Sequence, residues 1–221
     1  MKHPHSLILG AICFVMISLI GMSSCAKNSS EEQAQSTLEF WDTYEAATLL
    51  PVMEAIDEAT AEEYDNPLRV MLSGMTEPQG PVVGCAFYND TAKINAIFQS
   101  ESAKSLLPED IRFAWTGYAP PRSSIYPLIA LKAHDGGPLL AENIVKDAMV
   151  EDSEWGLAVA VIPTEEGAAK LKELDEAYPE KIYLVIEGAV YPIVKQEGKY
   201  LIPGIFEDEV AAEEFAKKIK R

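Results

Sequence analysis

The stretch that decides the fold is KIYLVIEGAVYPIV, at residues 181–194. Its first half alternates Ile and Leu with Tyr and Val, which predicts a strand over 181–187 that is buried on both faces. Gly188 predicts a turn, and residues 189–194 predict a second strand that returns beside the first. The stretch therefore indicates an antiparallel hairpin within the C-terminal third.

The residues around this hairpin extend it into a larger unit. Residues 157–162 predict a strand, and Thr164 is placed to cap a helix over 165–174. After the hairpin, a turn leads to a strand at 200–202, and 208–220 predict a last helix. The order of this C-terminal unit is β-α-β-β-β-α.

The preceding residues mix strand and helix patterns in the same way. Apolar runs and breakers there predict further strands at 37–41, 82–87, 111–115 and 128–132, with helices over 44–63 and from the capping residues 89–91 to Pro108. This mixture predicts an α+β fold with a mixed or antiparallel sheet and helices packed on one face.

The first residues have the pattern of an export signal. Residues 1–5 are short and basic and 6–22 contain no charge, as in a signal peptide. Met22-Ser23-Ser24-Cys25 then resembles a lipobox, whose cysteine receives a diacylglycerol before cleavage. We expect a signal peptide over 1–24 and lipidation of Cys25, with an uncleaved anchor or ordinary secretion as alternatives.

The polar, apolar-poor residues 25–37 are typical of a flexible tether. Several acyl chains on one cysteine give stable membrane anchoring. We therefore expect the body, 38–221, to be lipid-anchored in the cell envelope and to face the periplasm. The sequence leaves open whether the inner or the outer membrane holds it.

The charge of the chain excludes one class of partner. The formal net charge is −17, and removal of the leader, which contains Lys2 and no acidic residue, makes it more negative. Nucleic acid is a polyanion that such a body repels, so we expect no nucleic-acid partner.

The C-terminal part contains several motif positions: Glu166, Gly167, Ala168, Gly188, Pro192, Gly198, Gly204 and Phe206. Upstream lie LEFW at 38–41, DTAKIN at 90–95 and LPEDIRFAW at 107–115. In this order the motifs resemble the first periplasmic domain of the SecD/SecDF protein-export family, and the similarity is clearest over 125–221.

The resemblance implies a SecDF head-like domain that contacts polypeptide during export. Only the head-like part of that family is matched, so we expect no proton-driven motor in this chain. Exported polypeptides or components of the Sec translocon are the partners that the resemblance implies.

The residues offer little catalytic chemistry. The acidic pairs at 165–166, 208–209 and 213–214 fall at helix starts or beside lysines, which is typical of solvated faces. His134 falls in a predicted surface turn, and Ser123 and Ser124 lack a neighbouring base. Cys85 follows an apolar run and is interpreted as a small buried residue. We expect no enzyme activity, no cofactor and no metal.

Two functions therefore remain. The first is a tethered, non-enzymatic module that contacts exported polypeptide or the export machinery, and an exposed sheet edge would give it a physical route to capture an extended chain. The second is a structural or adaptor lipoprotein that binds one folded envelope partner. Tyr118, Tyr126 and Trp155 fall in or near predicted loops, where they are available either for contact or for packing.

Overall fold

The computed structural model describes residues 38–118, 124–142, 144–179, 181–196, 198–203 and 206–220. Its strands are β1 (Leu38–Thr43), β2 (Val82–Phe87), β3 (Ile111–Trp115), β4 (Ile125–Lys132), β5 (Leu140–Ala141), β6 (Val145–Ser153), β7 (Gly156–Pro163), β8 (Tyr183–Ile186), β9 (Ala189–Tyr191), β10 (Val194–Gln196) and β11 (Lys199–Pro203). Its helices are α1 (Leu50–Thr60), α2 (Leu68–Met71), α3 (Tyr88–Gln99), α4 (Glu101–Lys104), α5 (Glu165–Ala177) and α6 (Glu209–Ile219), and a 3-10 turn covers Ala46–Leu49. The expected signal peptide, Cys25 and the tether lie outside the described residues.

The larger sheet curls until its ends meet. Its strands follow the order β2-β4-β1-β8-β9, while β3 pairs with β4 and β5 pairs with β1, all antiparallel. Directly after β3, Thr116 forms a parallel bridge with Val190 of β9. The N–H of Gly117 also donates to the C=O of Val190 at 2.9 Å. These contacts bring the end of β3 beside β9.

Apolar side chains fill both faces of this curled sheet. On the inside, Trp41, Ala114, Ile129, Val185 and Val190 belong to one buried cluster. On the outside, the helices α1 to α4 bury their apolar residues against β2, β3 and β4. The position of β3 is therefore fixed from both faces, since Ala114 packs inward and Ile111 packs towards the helices.

The smaller sheet has the strand order β10-β11-β7-β6, also antiparallel. Residues of β7 and β11 share one buried cluster with Leu38, Leu184 and residues of α5 and α6. Together the two sheets and the helices confirm the predicted α+β fold with antiparallel pairing.

The predicted strand over 189–194 is wrong in one respect, because it is two strands. Pro192 has no N–H to donate to a ladder, and the chain leaves the larger sheet after Tyr191 and joins the smaller one at Val194. The C-terminal unit is therefore β-α-β-β-β-β-α rather than β-α-β-β-β-α.

Two predicted helices are also divided by local chemistry. The helix predicted over 44–63 is the 3-10 turn followed by α1, because Pro51 lacks an N–H and fits only the first turn of a helix. The helix predicted to reach Pro108 ends at Gln99. There the Ser100 hydroxyl accepts from the N–H of Ala103 at 3.1 Å and begins α4. The helix α3 starts at Tyr88, one residue before the predicted caps.

Thr164 caps α5 as the sequence predicts, because its hydroxyl accepts from the N–H of Gly167 at 3.0 Å. Thr164→Ala should lower the free energy of unfolding by about 1 kcal/mol, the usual cost of a lost N-cap. Urea unfolding of this variant and of Thr164→Ser, which keeps the hydroxyl, measures the effect. Equal losses of unfolding free energy in Thr164→Ala and Thr164→Ser would show that the hydroxyl cap does not stabilise the helix.

Candidate functional site

The strand β3 has a free edge. Over the described residues it pairs along its whole length with β4 alone, from Ile111 opposite Lys132 to Trp115 opposite Leu128. Its other side meets β9 at its C-terminal end, through the Thr116–Val190 bridge. The open part of the edge thus lies along the middle of β3, a strand of five residues that spans roughly 17 Å of extended chain.

Hydrogen bonds at both ends of β3 show which backbone groups face this opening. Just outside the strand, the N–H of Ala133 donates to the C=O of Asp110 at 2.7 Å, and the N–H of Thr116 donates to the C=O of Pro127 at 3.0 Å. Alternation along the strand then directs the backbone of Phe113 and Trp115 away from β4.

The residue opposite Phe113 supports this assignment. Ala130 uses its N–H for the C=O of Pro81 and its C=O for the N–H of Tyr44. Its backbone therefore does not bond to Phe113. The N–H and C=O of Phe113 and the N–H of Trp115 therefore face the opening, whereas the parallel bridge between Thr116 and Val190 engages the C=O of Trp115 with the N–H of Val190. The three outward groups offer two donors and one acceptor to an added strand.

A groove of about 750 Å³ lies along this edge. The helix α3 forms one wall with Asn95, Phe98 and Gln99, and the turn between β8 and β9 forms another with Gly188 and Ala189. Phe113 and Trp115 of β3 also line it. The groove is therefore open to solvent alongside the unpaired backbone groups.

Aromatic contacts hold the floor of the groove in place. The rings of Phe98 and Phe113 stack with their centroids 4.3 Å apart. The indole N–H of Trp115 donates to the Oδ1 atom of Asn95 at 3.0 Å. Because both β3 side chains are tied to α3, the edge is presented without prior rearrangement of its aromatic residues.

The groove carries charges of both signs although the whole chain is strongly acidic. Its basic residues are Lys104 and Arg112, and its acidic residues are Glu109 and Glu187. Lys104 pairs with Glu101 at 3.4 Å, and Glu187 pairs with Lys218. The positive and negative charges of the groove balance each other. The groove therefore does not repel an approaching polypeptide, whereas the rest of the acidic surface repels polyanions.

The other long edge is less suited to pairing. The outer strand of the smaller sheet, β6, contains a bulge between Val145 and Asp147. Lys146 and Asp152 are exposed on it, and Glu151 pairs with Lys199 at 2.7 Å. Bulges and charges are common protections of an edge strand, so β3 is the better candidate.

His134 is less exposed than the sequence predicts. Its Nε2 atom lies 2.9 Å from Oδ2 of Asp42, which is buried, and its ring meets Tyr178 edge-on at 5.3 Å. The nearby Thr43 hydroxyl donates to the C=O of Lys181 at 3.2 Å, not to the imidazole. This arrangement ties β1 to the turn after β4 and presents no hydroxyl nucleophile to His134.

Cys85 is half-buried in β2, where its backbone N–H donates to the C=O of Ser73 at 2.7 Å. Burial raises the pKa of its thiol above the ordinary value. The thiol is therefore protonated at neutral pH, which suits packing and not nucleophilic chemistry.

The motif residues at the start of α5 have structural positions. Glu166 is exposed and pairs with Lys170 at 3.0 Å. Gly167 is buried against Ile144, and Ala168 is exposed. These residues fix the entry to a helix and do not reach the groove.

The other motif residues lie mainly at turns. Gly188, with φ +80°, forms the turn between β8 and β9 together with Glu187, and Gly198, with φ +74°, forms the turn between β10 and β11. Pro192 separates β9 from β10, and Phe206 packs its ring on Phe215 at 5.3 Å. Gly204 lies outside the described residues. Of the motif residues that the structure describes, only Gly188 lines the groove.

The acidic pairs lie on helices as predicted. Asp208 is the N-cap of α6 and accepts from the N–H of Ala211 at 2.8 Å. Residues 165–166 begin α5, and 213–214 lie within α6.

Within the described residues there is no group of three His, Cys, Asp or Glu side chains that could hold a metal ion. No helix in that part of the chain is both long and apolar enough to span a bilayer.

The aromatic residues singled out in the sequence do not form one surface. Trp155 is 46% exposed at the turn between β6 and β7, whereas Tyr118 and Tyr126 are partly buried. Sequence reasoning missed Phe87 and Tyr88, which are 56% and 68% exposed where β2 joins α3. In the sequence the apolar run of β2 continues through Phe87 to Tyr88, and nothing local indicates that these two residues face solvent.

Comparison with known proteins adds no relative. No family model matches the chain, and neither the curated proteins nor the solved structures contain a match. The similarity to the SecD/SecDF head domain stays a prediction from the motifs.

Proposed function

We propose that this protein is a lipid-anchored envelope module, without enzyme activity, that binds extended segments of exported polypeptide by adding them as a strand to β3. The observation that carries the proposal is the outward-facing N–H and C=O of Phe113 and N–H of Trp115, beside an open groove. The lipid at Cys25 would hold this edge close to the membrane from which exported chains emerge.

Strand addition suits a partner that varies in sequence. Its hydrogen bonds join backbone to backbone, so any extended segment without proline can make them. The aromatic floor formed by Phe98 and Phe113 offers apolar contact to alternate side chains of that segment. An unfolded exported chain supplies both features, whereas a folded protein has most of its backbone groups already paired.

A second candidate function is an adaptor for one folded envelope protein. It is favoured by the exposed Phe87 and Tyr88, which line a shallow depression with Asn89, Asp90 and Ser124. Exposed aromatic residues are common anchors of protein interfaces. This patch and the β3 groove are lined by different residues, so the two functions are separable by position.

Photo-crosslinking in cells during active export tests the proposal. A photoreactive residue at Gln99, on the groove wall, should capture many different exported chains. Glu173, exposed on α5, is the matched control position and should give background only. A photoreactive residue in place of Tyr88 tests the adaptor function.

The adducts distinguish the outcomes. A single folded envelope protein at Tyr88, with no varied adducts at Gln99, would replace polypeptide capture with the adaptor function. Sec translocon subunits at Gln99 would assign the groove to the export machinery instead of to its cargo. Background at all positions would contradict both functions.

Trp115→Pro should weaken binding of an extended peptide about tenfold, because it removes an outward N–H while leaving the ladder with β4 intact. The probe is an end-capped, fluorescein-labelled heptapeptide of alternating Thr and Val, measured by fluorescence anisotropy. Trp115→Phe is the control, since it also loses the indole contact to Asn95 but keeps the N–H. Equal affinities of the two variants would show that edge pairing contributes nothing.

A further inference from the structure

The free edge of β3 begins at a carbonyl that the protein itself covers. Alternation places the C=O of Ile111 on the same side as the backbone groups of Phe113 and Trp115. The Nη1 atom of Arg112 donates to this C=O at 2.6 Å and to the C=O of Glu109 at 3.1 Å. The first acceptor of the edge is thus occupied by a neighbouring side chain.

The donor on this carbonyl is well suited to compete with an incoming strand. A guanidinium stays charged at every physiological pH, and its hydrogen bonds to carbonyl oxygens are charge-assisted. The N–H of Ile111 is also occupied, since it donates to the C=O of Pro108 at 3.2 Å. Pairing beyond Phe113 would have to displace the guanidinium.

At its other end the edge is closed by the backbone. The N–H of Gly117, which faces the same side as those of Phe113 and Trp115, already donates to Val190. Among the described residues, Arg112 and β9 therefore leave three groups between them, the N–H and C=O of Phe113 and the N–H of Trp115. This length matches a short extended segment and is too short for a stable edge-to-edge pairing of two sheets.

We propose that Arg112 is a cap on the polypeptide-binding edge, which limits pairing to short segments and prevents two copies of the chain from joining through β3. The inference rests on the proposed function, since it assigns a specificity-determining residue to the same edge. The Arg112 side chain touches the site and is exposed. Its substitution should therefore leave the fold intact.

The test compares Arg112→Ala with Lys104→Ala in the full chain, solubilised in detergent. Both variants remove one cation from the groove, but only the first uncovers a carbonyl of the edge. Binding of the neutral Thr/Val heptapeptide is measured by anisotropy, and self-association by sedimentation velocity. Urea unfolding confirms that each variant folds.

Arg112→Ala should bind the heptapeptide about fivefold more tightly, the value of roughly one added hydrogen bond, and should self-associate at lower concentration. Lys104→Ala should match the wild type in both measurements. Unchanged affinity and unchanged self-association in Arg112→Ala would overturn the cap, as would equal changes in the two variants.

The two readouts also separate this inference from the proposed function. If the wild type and both variants fail to bind the heptapeptide while Arg112→Ala alone self-associates, the cap stands and peptide capture fails. If the wild type binds and Arg112→Ala changes neither measurement, peptide capture stands and the cap fails.

Discussion

Leu184→Ala should lower the free energy of unfolding by about 3 kcal/mol, because it leaves a cavity where the strand β8 packs against the second sheet. Leu184 is 1% exposed and belongs to the cluster that joins both sheets to α5 and α6. Urea unfolding monitored by tryptophan fluorescence measures the change.

An exposed position supplies the control for this core substitution. Val210 on α6 is 65% exposed, and Val210→Ala should change the unfolding free energy by less than about 0.5 kcal/mol. A similar small change in Leu184→Ala would show that the region around β8 relaxes to fill the cavity, and that the joint between the sheets is loosely packed.

Gly167→Ala should lower the free energy of unfolding by about 1 to 3 kcal/mol, because the site has no room for a methyl group. A Cβ atom there would lie 2.6 Å from Cβ of Ile144 and 2.9 Å from its carbonyl oxygen. The second atom belongs to the backbone, which also accepts from the N–H of Thr164 at 2.7 Å and so resists movement.

Gly137→Ala is the matched control, since nothing lies within 4 Å of its Cβ position and its φ is not positive. It should unfold at nearly the wild-type urea concentration. Wild-type stability in Gly167→Ala would contradict the close packing of α5 on Ile144. It would also remove the structural explanation for the glycine in the motif at 166–168.

The sequence predicts the elements whose patterns are local. Thr164 caps its helix as expected, because an N-cap depends on the few residues that follow it. Asp208, predicted as the first residue of the last helix, is the N-cap of that helix. The strand around Leu184 is buried on both faces as its continuous apolar run indicates. These features need no knowledge of the distant chain.

The differences arise where distant residues decide. The strand β6 is not predicted, because its charged residues resemble those of a solvated segment and only the pairing with β7 makes it a strand. The split at Pro192 follows from a missing N–H, but nothing local shows that the second half joins another sheet. His134 is partly buried only because the fold brings Asp42 beside it.

The candidate site could be predicted only in part. Residues 111–115 are predicted as a strand, and a sheet edge is expected as a means of capturing polypeptide. Which edge stays open depends on β4 taking one side of β3 and β9 stopping at Thr116, and both contacts join segments far apart in the chain. The proposed capping role of Arg112 could not be predicted from the sequence, because its partners are backbone carbonyls whose positions only the folded structure gives.

The pairing of β1 with β8 has a consequence for the order of folding if the chain is exported as proposed. Leu38 lies opposite Ile186, so β1, which also pairs with β4 and β5, finds its third partner near the end of the chain. A polypeptide that crosses a membrane with its N-terminus leading exposes β1 well before β8 arrives. Such distant pairing slows folding. We expect the body to mature only after almost all of it has been released, and its early strand to need protection until then.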